Sequence, residues 1–389
     1  MKRKIYLITT NRADYGLQRN VIFLLKKNKK INFKLIVAGS HHDKEYGSTI
    51  TEILADKNKI NFSLKNKIKK SNSLSTLLSM SESLKKFAKI FSKGKPDIVV
   101  ILGDRYEMLM ASISATINRI PIAHIQGGET TEGAFDDTVR HVITKMSSLH
   151  FVAHEKYKKI LLKFGESKKN IFNFGGLGAE NIKLAKFIDK KKIEEKFRFK
   201  FKKKNILVVF HPVTREPNTT KKYFNNIISA LEKFPEIQFI FTYPNPDPEN
   251  NIIIKILKKA QKRNKNFVII KSFGQNNFFS VLKIVDGILG NSSSGILEMP
   301  TFKKGTINIG NRQKGRIQVK SVINSYTQSQ SIEKSIKYLY SKSFEKKKRL
   351  SKNLYFKKNT SRNIVNTLTN FPLKNLIKKS YEFSKITRI

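Results

Sequence analysis

Ala123-His124-Ile125-Gln126-Gly127-Gly128-Glu129 is an apolar run that stops abruptly in a glycine pair and a carboxylate, with Asp136-Asp137 and Arg140-His141 close behind. A strand feeding a loop of this kind reads as one repeat of a parallel α/β sheet. Carboxylates and imidazoles crowded at a strand end are costly to bury unless paired, so the loop reads as a reaction centre. Leu102-Gly103-Asp104-Arg105-Tyr106-Glu107 has the same form. Two such strand ends close in sequence point to one shared site.

Working outward, apolar runs and amphipathic segments alternate, as a parallel sheet requires. The pattern predicts strands over 4–9, 33–38, 97–102, 120–125 and 149–152, with helices over 17–27, 74–91, 105–116 and 137–147. This half ends near Asn173-Phe174-Gly175-Gly176-Leu177-Gly178, and 183–204 reads as a charged helical connector. The pattern then restarts. Strands are expected over 205–210, 237–242, 267–271, 287–289 and 306–309, with helices over 223–233, 252–262 and 278–284 and a helix start at 295–299. The tail, 331–389, reads as helical and lysine rich, and no internal repeat is visible. A chain of 389 residues exceeds what one hydrophobic core usually organises, so two domains with a cleft between them are expected. The division reads as 1–182, carrying the carboxylates, 183–365, and a tail over 366–389.

Composition excludes several classes. There is no cysteine, which removes disulfides, thiolate metal sites and Cys nucleophiles, and which fits a reducing, cytoplasmic compartment. The apolar run 5–8 is too short for a signal-peptide core, and no window approaches a membrane helix. Lys and Arg number 77 against 29 Asp and Glu, a net charge of +48. Their excess is mostly lysine scattered along the whole chain rather than gathered on one face, which reads as solvated helix surface and argues against a nucleic-acid partner. The positive field attracts an anionic substrate in either case.

In open parallel sheets ligands bind beyond the carboxyl ends of strands. Five polar clusters follow apolar strands: Asn11-Arg12-Ala13-Asp14-Tyr15-Gly16, Gly103-Asp104-Arg105, Gln126 to Glu129, His211-Pro212-Val213-Thr214-Arg215, and Gly290-Asn291-Ser292-Ser293-Ser294-Gly295. The last is the clearest phosphate candidate, because backbone N–H groups and serine hydroxyls at a strand-to-helix turn form an anion-binding concavity. A capped helix without ligand is the alternative. Glu298 reads either as a cap or as an acceptor for a sugar diol. His211 reads as a phosphate or hydroxyl contact, or else as a packed core histidine. The segment 9–16 is poor in glycine and has Arg12 as its main anion donor, which disfavours a Rossmann dinucleotide site. His41-His42-Asp43 lacks a second ligand group at a metal spacing, so no metal is expected. Asp104, Glu129, Asp136 and Asp137 form the carboxylate set. Crowding raises some of their pKa values while Arg105 or Arg140 holds others low, which supplies an acid and a base in one site. Glu107 reads instead as an Arg105 salt-bridge partner in an amphipathic helix.

Taken together, these segments resemble the hydrolysing UDP-N-acetylglucosamine 2-epimerases of sialic acid biosynthesis and the similar enzymes of legionaminic acid pathways. The likeness rests on Thr10 to Gly16, Gly39 with Tyr46-Gly47, Leu102 to Glu107, Pro121-Ile122-Ala123-His124-Ile125, Gly127-Gly128-Glu129, and Arg140-His141 with Ile143-Thr144-Lys145-Met146-Ser147. It continues through Gly176-Leu177-Gly178-Ala179-Glu180-Asn181, Phe210-His211-Pro212, Gly290 to Ser294, and Ile309-Gly310-Asn311-Arg312-Gln313-Lys314-Gly315-Arg316, in chain order over 1–370.

The resemblance implies an α/β GT-B architecture, two Rossmann-like domains with parallel sheets facing an interdomain cleft, with UDP held mainly by the second. It also implies a two-step reaction that needs no metal or other cofactor. Loss of the C2 proton and of UDP gives a 2-acetamidoglucal, and water then adds to yield N-acetylmannosamine. The family's catalytic aspartate falls on Asp104, with Arg105 beside it, and its second aspartate on Asp136 or Asp137. His211 joins the catalytic set, and nucleotide contacts fall on Arg12, Gly16, His211, Asn291, Ser292, Ser293, Glu298 and Arg312. Relatives are usually dimers or tetramers. The sequence departs from the family at Gln126, where several relatives carry a catalytic glutamate; Glu129 is the expected substitute. It departs again at Asn353-Leu354-Tyr355-Phe356, where relatives usually have Asn-Pro-Tyr-Gly. Two substrates fit this resemblance, UDP-N-acetylglucosamine and the diacetylated 6-deoxy analogue, UDP-N,N'-diacetylbacillosamine. The competing readings are a non-hydrolysing 2-epimerase, a GT-B glycosyltransferase and a basic nucleic-acid-binding protein.

Overall fold

The computed structural model describes residues 2–42, 49–65, 73–133, 135–245 and 247–379. Asp43 and the Tyr46-Gly47 pair lie outside the described residues. The central strands are apolar on both faces: Ile5 and Leu7 alternate with Tyr6 and Ile8, and all four are fully buried. Such a strand has no face to give to water and must sit inside a sheet covered on both sides, the habit of parallel α/β sheets.

Two such sheets form. The first contains β1 (Arg3–Thr9), β2 (Ile31–Val37), β3 (Ile60–Ser63), β4 (Ile98–Leu102), β5 (Ile122–Ile125), β6 (Leu149–Val152) and β7 (Ile171–Asn173), in the spatial order β3-β2-β1-β4-β5-β6-β7. The second contains β8 (Lys204–Val209), β9 (Ile237–Thr242), β10 (Phe267–Ile270), β11 (Gly287–Gly290), β12 (Gly305–Ile309) and β13 (Val322–Ser325), in the order β10-β9-β8-β11-β12-β13. The pairing is parallel throughout, with Ile5 opposite Ile98 and Ile288 opposite Leu207. Strand order reverses between β1 and β4 and again between β8 and β11. These are the switch points where parallel sheets open a crevice for ligands. Each sheet carries a core on each face: Ile5, Leu7 and Val100 on one side of the first and Tyr6, Ile8 and Ile101 on the other. In the second, Ile206 and Val208 oppose Leu207 and Val209.

Contacts divide the chain into two compact units. Met1–Glu129, Asp136–Asn181 and Tyr355–Ile389 form one, and Thr130–Phe135 with Ile182–Leu354 form the other. This differs from the expected division at 183–365 with a separate tail. The helix Thr360–Asn370 sends Ile364, Val365 and Leu368 into the first unit's core, beside Val21 and Leu25 of the helix Arg12–Lys27. Its apolar stripe is visible in the sequence, but a stripe does not say which sheet it covers. Tyr355 is likewise buried in the first unit, stacked on Tyr157 with their hydroxyls 2.9 Å apart, so Leu354 and Phe356 are accommodated around a packed tyrosine.

Three smaller differences follow from local physics. The short edge strands β3, β7 and β13 were not expected, because partly buried three- and four-residue runs carry little alternation. The first helix starts at Arg12 rather than at 17, because the Asn11 side chain accepts the Asp14 N–H at 2.9 Å and caps it. The connector is not one helix: Leu177–Leu184 and Lys190–Phe197 are separate, and Asp189 caps the second by accepting the Lys191 N–H.

Candidate functional site

In the first unit, sheet order sets three of the clusters side by side, those following β1, β4 and β5. Gly103 turns the chain after β4 with φ +72°, which suits glycine. Gln126 does the same after β5 with φ +64°, a conformation that costs a non-glycine residue roughly 1 kcal/mol or more. Between these turns lies Arg140, on the helix Asp136–Met146, with only 3% of its side chain exposed. A guanidinium so buried must be surrounded by acceptors. It pairs with the Asp104 carboxylate, donates to the Glu129 carbonyl at 2.7 Å and lies 3.5 Å from the Asp137 carboxylate. Burial alone would lower its pKa, but the surrounding carboxylates Asp104, Glu129 and Asp137 outweigh that, and the arginine is held protonated. Asp104 remains 23% exposed, and Asp137 also faces His141 at 3.6 Å. Asp136 and Asp137 occupy the first turn of their helix, where its dipole favours negative charge. The Glu129 side chain is buried.

Arg105 precedes the helix Tyr106–Ile117, packs its guanidinium on the Tyr106 ring at 4.5 Å and reaches Glu107 at 3.7 Å, as the salt-bridge reading of Glu107 expects. Arg12 and Gly16 lie within the first helix rather than on a free loop, and the Gly16 carbonyl accepts from the Asn181 amide at 2.9 Å. Burial lowers the Arg12 pKa against a weaker opposite pull from Glu52.

One group at this end of the sheet was missed. Asp14 is buried and accepts the Thr10 hydroxyl. Burial pushes its carboxyl up to about 7; Thr10 and Arg105 pull it down, while Asp104 and Glu107 push it up further. Asp14 belongs to the polar cluster that follows the first strand, but that cluster draws notice for the Arg12 anion donor, and nothing in the sequence reports how deeply Asp14 is buried. The His41 ring, by contrast, is spent on Thr9 and Thr49 hydroxyls at 3.0 and 2.8 Å.

The second unit is built differently. Gly290 has φ +137°, and a side chain there would meet the Val209 carbonyl at 2.0 Å, so β8 and β11 end in close contact. Asn291 then clasps the neighbouring strand end: its amide oxygen accepts the His211 N–H at 2.8 Å and its amide nitrogen donates to the His211 carbonyl at 2.7 Å. Asn291 was expected as a ligand contact, but its side chain is fully buried and both its polar atoms are used on His211. Its carbonyl accepts from Arg312 at 3.1 Å and from Gln313 at 2.9 Å, which gathers two basic or polar side chains at the same point. The His211 Nδ1 accepts the Asn245 N–H at 3.1 Å, so the neutral ring carries its proton on Nε2.

Ser292 and Ser293 are partly buried beyond β11, and the Ser292 hydroxyl accepts the Ser294 N–H at 3.3 Å. The helix that follows, Ser294–Leu297, has only four residues, so its macrodipole is small. Glu298 lies past that helix rather than one turn into it, and heads the short turn Met299–Phe302. Burial raises its pKa against opposing effects of a Ser294 hydrogen bond and Arg316. Its Oε2 is buried without a hydrogen-bond partner among the described residues. Thr130–Phe135 packs in this unit on the Arg312 loop: Glu132 N–H donates to the Lys314 carbonyl at 3.0 Å, and Gly133 lies against Arg312 so closely that a Cβ would sit 2.7 Å from its Cα.

The first unit thus offers carboxylates around fixed cations, suited to proton transfer, and the second offers neutral and cationic donors, suited to an anion. No helix among the described residues is long and apolar enough to cross a membrane.

Comparison with known proteins gives a consistent picture. A family model described as UDP-N-acetylglucosamine 2-epimerase matches residues 24–369. The chain is 38% identical over 345 residues to the GDP/UDP-N,N'-diacetylbacillosamine 2-epimerase (hydrolyzing) of Campylobacter jejuni, with 88% of this chain and 89% of that one covered. It is 36% identical over 370 residues to polysialic acid biosynthesis protein P7 of Escherichia coli, covering 95% and 94%. The fold matches the crystal structure of UDP-GlcNAc 2-epimerase from Neisseria meningitidis bound to UDP-GlcNAc with a TM-score of 0.80 at 20% identity, over 94% of this chain and 99% of that one. The two parallel-sheet units are therefore the Rossmann-like pair of a GT-B fold.

Proposed function

The chain belongs to the UDP-N-acetylglucosamine 2-epimerase family, and we propose that it is a hydrolysing 2-epimerase that converts a UDP-2-acetamido sugar and water into the free 2-epimeric sugar and UDP. The observation that carries this reading is Arg140, which gathers Asp104, the Glu129 backbone and Asp137 beyond the ends of β4 and β5.

In the first step a carboxylate removes the C2 proton as the C1–O bond breaks, its electron pair leaving with UDP, and a 2-acetamidoglycal remains. In the second, hydroxide from water adds at C1 while a carboxylic acid returns a proton to C2 from the opposite face. Asp104 is the principal proton-transfer group, and Glu129 takes the work of the glutamate absent at Gln126. Asp137 is favoured over Asp136 as the second aspartate because it shares Arg140 with Asp104. Arg105 supplies positive charge beside the reacting ring.

Charge developing on departing UDP calls for donors that are themselves held by the fold of their own unit. Arg12, Arg312, Ser292, Ser293 and the His211 Nε2–H fill this role, with Asn291 bracing His211. The unsatisfied Glu298 Oε2 suits a hydroxyl donor such as a ribose diol. The names of the relatives support both candidate sugars, N-acetylglucosamine and N,N'-diacetylbacillosamine, and the polysialic acid biosynthesis protein among them supports a product that feeds the synthesis of a sialic-type acid.

The test is incubation with each UDP-sugar in heavy water, followed by NMR. Free UDP with a free 2-epimer deuterated at C2 is expected. A UDP-linked epimer would show the non-hydrolysing reaction, C2 without exchange would show a transferase, and inertness towards both sugars would overturn the reading.

A further inference from the structure

Behind the Asp104 turn lies a buried histidine that the reaction scheme leaves unused. His124, on β5, and Thr144, on the helix Asp136–Met146, are both fully buried. The His124 Nε2 is 2.7 Å from the Gly103 carbonyl, and Nδ1 is 3.1 Å from the Thr144 hydroxyl. A carbonyl can only accept, so Nε2 carries the hydrogen. The neutral ring then has a bare Nδ1, and the threonine must be the donor there. Other helix hydroxyls of this unit donate back to the carbonyl four residues earlier, as Ser112, Thr116 and Ser147 do at 2.7 to 2.8 Å. Thr144 turns to the imidazole instead.

We propose that Thr144 is a positioning residue for the reaction: its hydroxyl donates to the bare Nδ1 of His124 and fixes the direction of the ring, whose Nε2–H holds the Gly103 carbonyl and so aims the turn that presents Asp104. The chain from Thr144 through His124 to Gly103 ties the helix that carries Arg140 and Asp137 to the loop that carries Asp104. The Arg140–Asp104 pair closes the same circuit from the other side. Gly127 seals the link, since a Cβ there would lie 2.8 Å from the His124 Nδ1 and 2.9 Å from the Thr144 hydroxyl. Burial lowers the His124 pKa to about 3 against the opposing Gly103 hydrogen bond, with nearby His150 and Arg140 pushing it down and Asp104 pulling it up. The ring is therefore neutral across the working range.

The effect on turnover rests on the role given above to Asp104; the tautomer itself does not. The experiment uses the full chain with histidine labelled in ¹⁵N, the His124 signals being assigned by their loss in His124→Gln. Wild type is expected to show His124 as a neutral Nε2–H ring. In Thr144→Val the ring should keep its Nε2–H, which the Gly103 carbonyl requires, but its Nδ1 signal should shift with the loss of the hydroxyl hydrogen bond and kcat should fall about tenfold or more, because small misplacement of a reacting group costs rate steeply. KM and the affinity for UDP should stay within about twofold, since the substrate contacts are untouched. Thr144→Ser should restore both the signal and the rate. Thr144→Ala, which removes the donor and adds no group, is the second variant should valine fold poorly. A wild-type His124 protonated on Nδ1, a folded Thr144→Val or Thr144→Ala with kcat within about twofold of wild type, or a serine variant as slow as valine would each overturn the proposal. If no UDP-sugar is turned over while the hydrogen-bonded Nδ1 signal is present in wild type and lost in Thr144→Val, the lock stands and the functional reading falls.

Discussion

The strand ends of the first sheet are crowded with ionisable groups, whereas those of the second are held together by a neutral amide. In the first, Arg140 is buried among Asp104, Asp137 and the Glu129 carbonyl, with Asp14 and Glu107 close by. In the second, Asn291 clasps the His211 backbone from both sides and collects Arg312 and Gln313 on its carbonyl. The same topology therefore hosts two kinds of chemistry. Moving a proton requires groups whose charge can change, and their pKa values are set by crowding and burial. Holding a diphosphate requires donors that do not change, and these are best fixed by hydrogen bonds that do not titrate.

The sharpest break of this contrast is Asp104→Asn. The amide preserves size but cannot take a proton, so turnover should fall by about 10² to 10⁴ while UDP affinity stays within about threefold. Glu129→Gln should follow in the same direction, and an unaffected rate would show that the base absent at Gln126 is not replaced from this position. Rate assays with UDP titration calorimetry separate the two effects. Near-normal turnover in Asp104→Asn would remove the first unit's claim to the chemistry.

The opposite pattern is expected in the second unit. Asn291→Ala leaves the His211 N–H and carbonyl without their partners, at a cost of about 1–3 kcal/mol for the unsatisfied groups. Freed of its brace, His211 should lose its fixed direction, and UDP affinity should drop about tenfold or more, with the proton-transfer groups intact. Calorimetry with UDP alone checks this. An unchanged dissociation constant would mean that the anion donors do not depend on the clasp.

How far these sites could be read from the sequence follows the same division. Strand ends were legible because an apolar run ending in polar residues marks its own carboxyl end, and that located Asp104, Glu129, His211 and Ser292 in the clusters where the structure has them. Pairings were not legible. Arg140 is 36 residues from Asp104, and Asn291 is 80 from His211, and nothing local reports a contact at such separation. Asn291 reads as a ligand donor because it stands among serines; only the β8–β11 register reveals that its amide is turned to the His211 backbone. The helix Thr360–Asn370 shows the same limit on the scale of the fold, its apolar face being obvious and its destination not.

Asp14 gives the subtlest test, because it asks whether titration in the first unit reaches folding itself. Its carboxyl stands at about 7 in the folded chain against an ordinary 3.8, chiefly through burial. A raised acid favours the folded state most when protonated: its contribution is fully present below about 4 and is lost as pH rises towards about 7. Asn11 caps the helix at whose third position Asp14 sits, and the positive end of that helix opposes the shift, so an effect on the order of 1–3 kcal/mol is expected rather than the full value. The buried histidines slope the other way, since their lowered pKa values cost stability as pH falls, so wild type alone does not isolate Asp14. Asp14→Asn does: relative to wild type, its unfolding free energy in urea should rise as pH goes from about 4 to about 7, and the gap should level off above that. Parallel curves for the two proteins would mean that Asp14 is ionised across this range, held so by Thr10, Arg105 and the helix end.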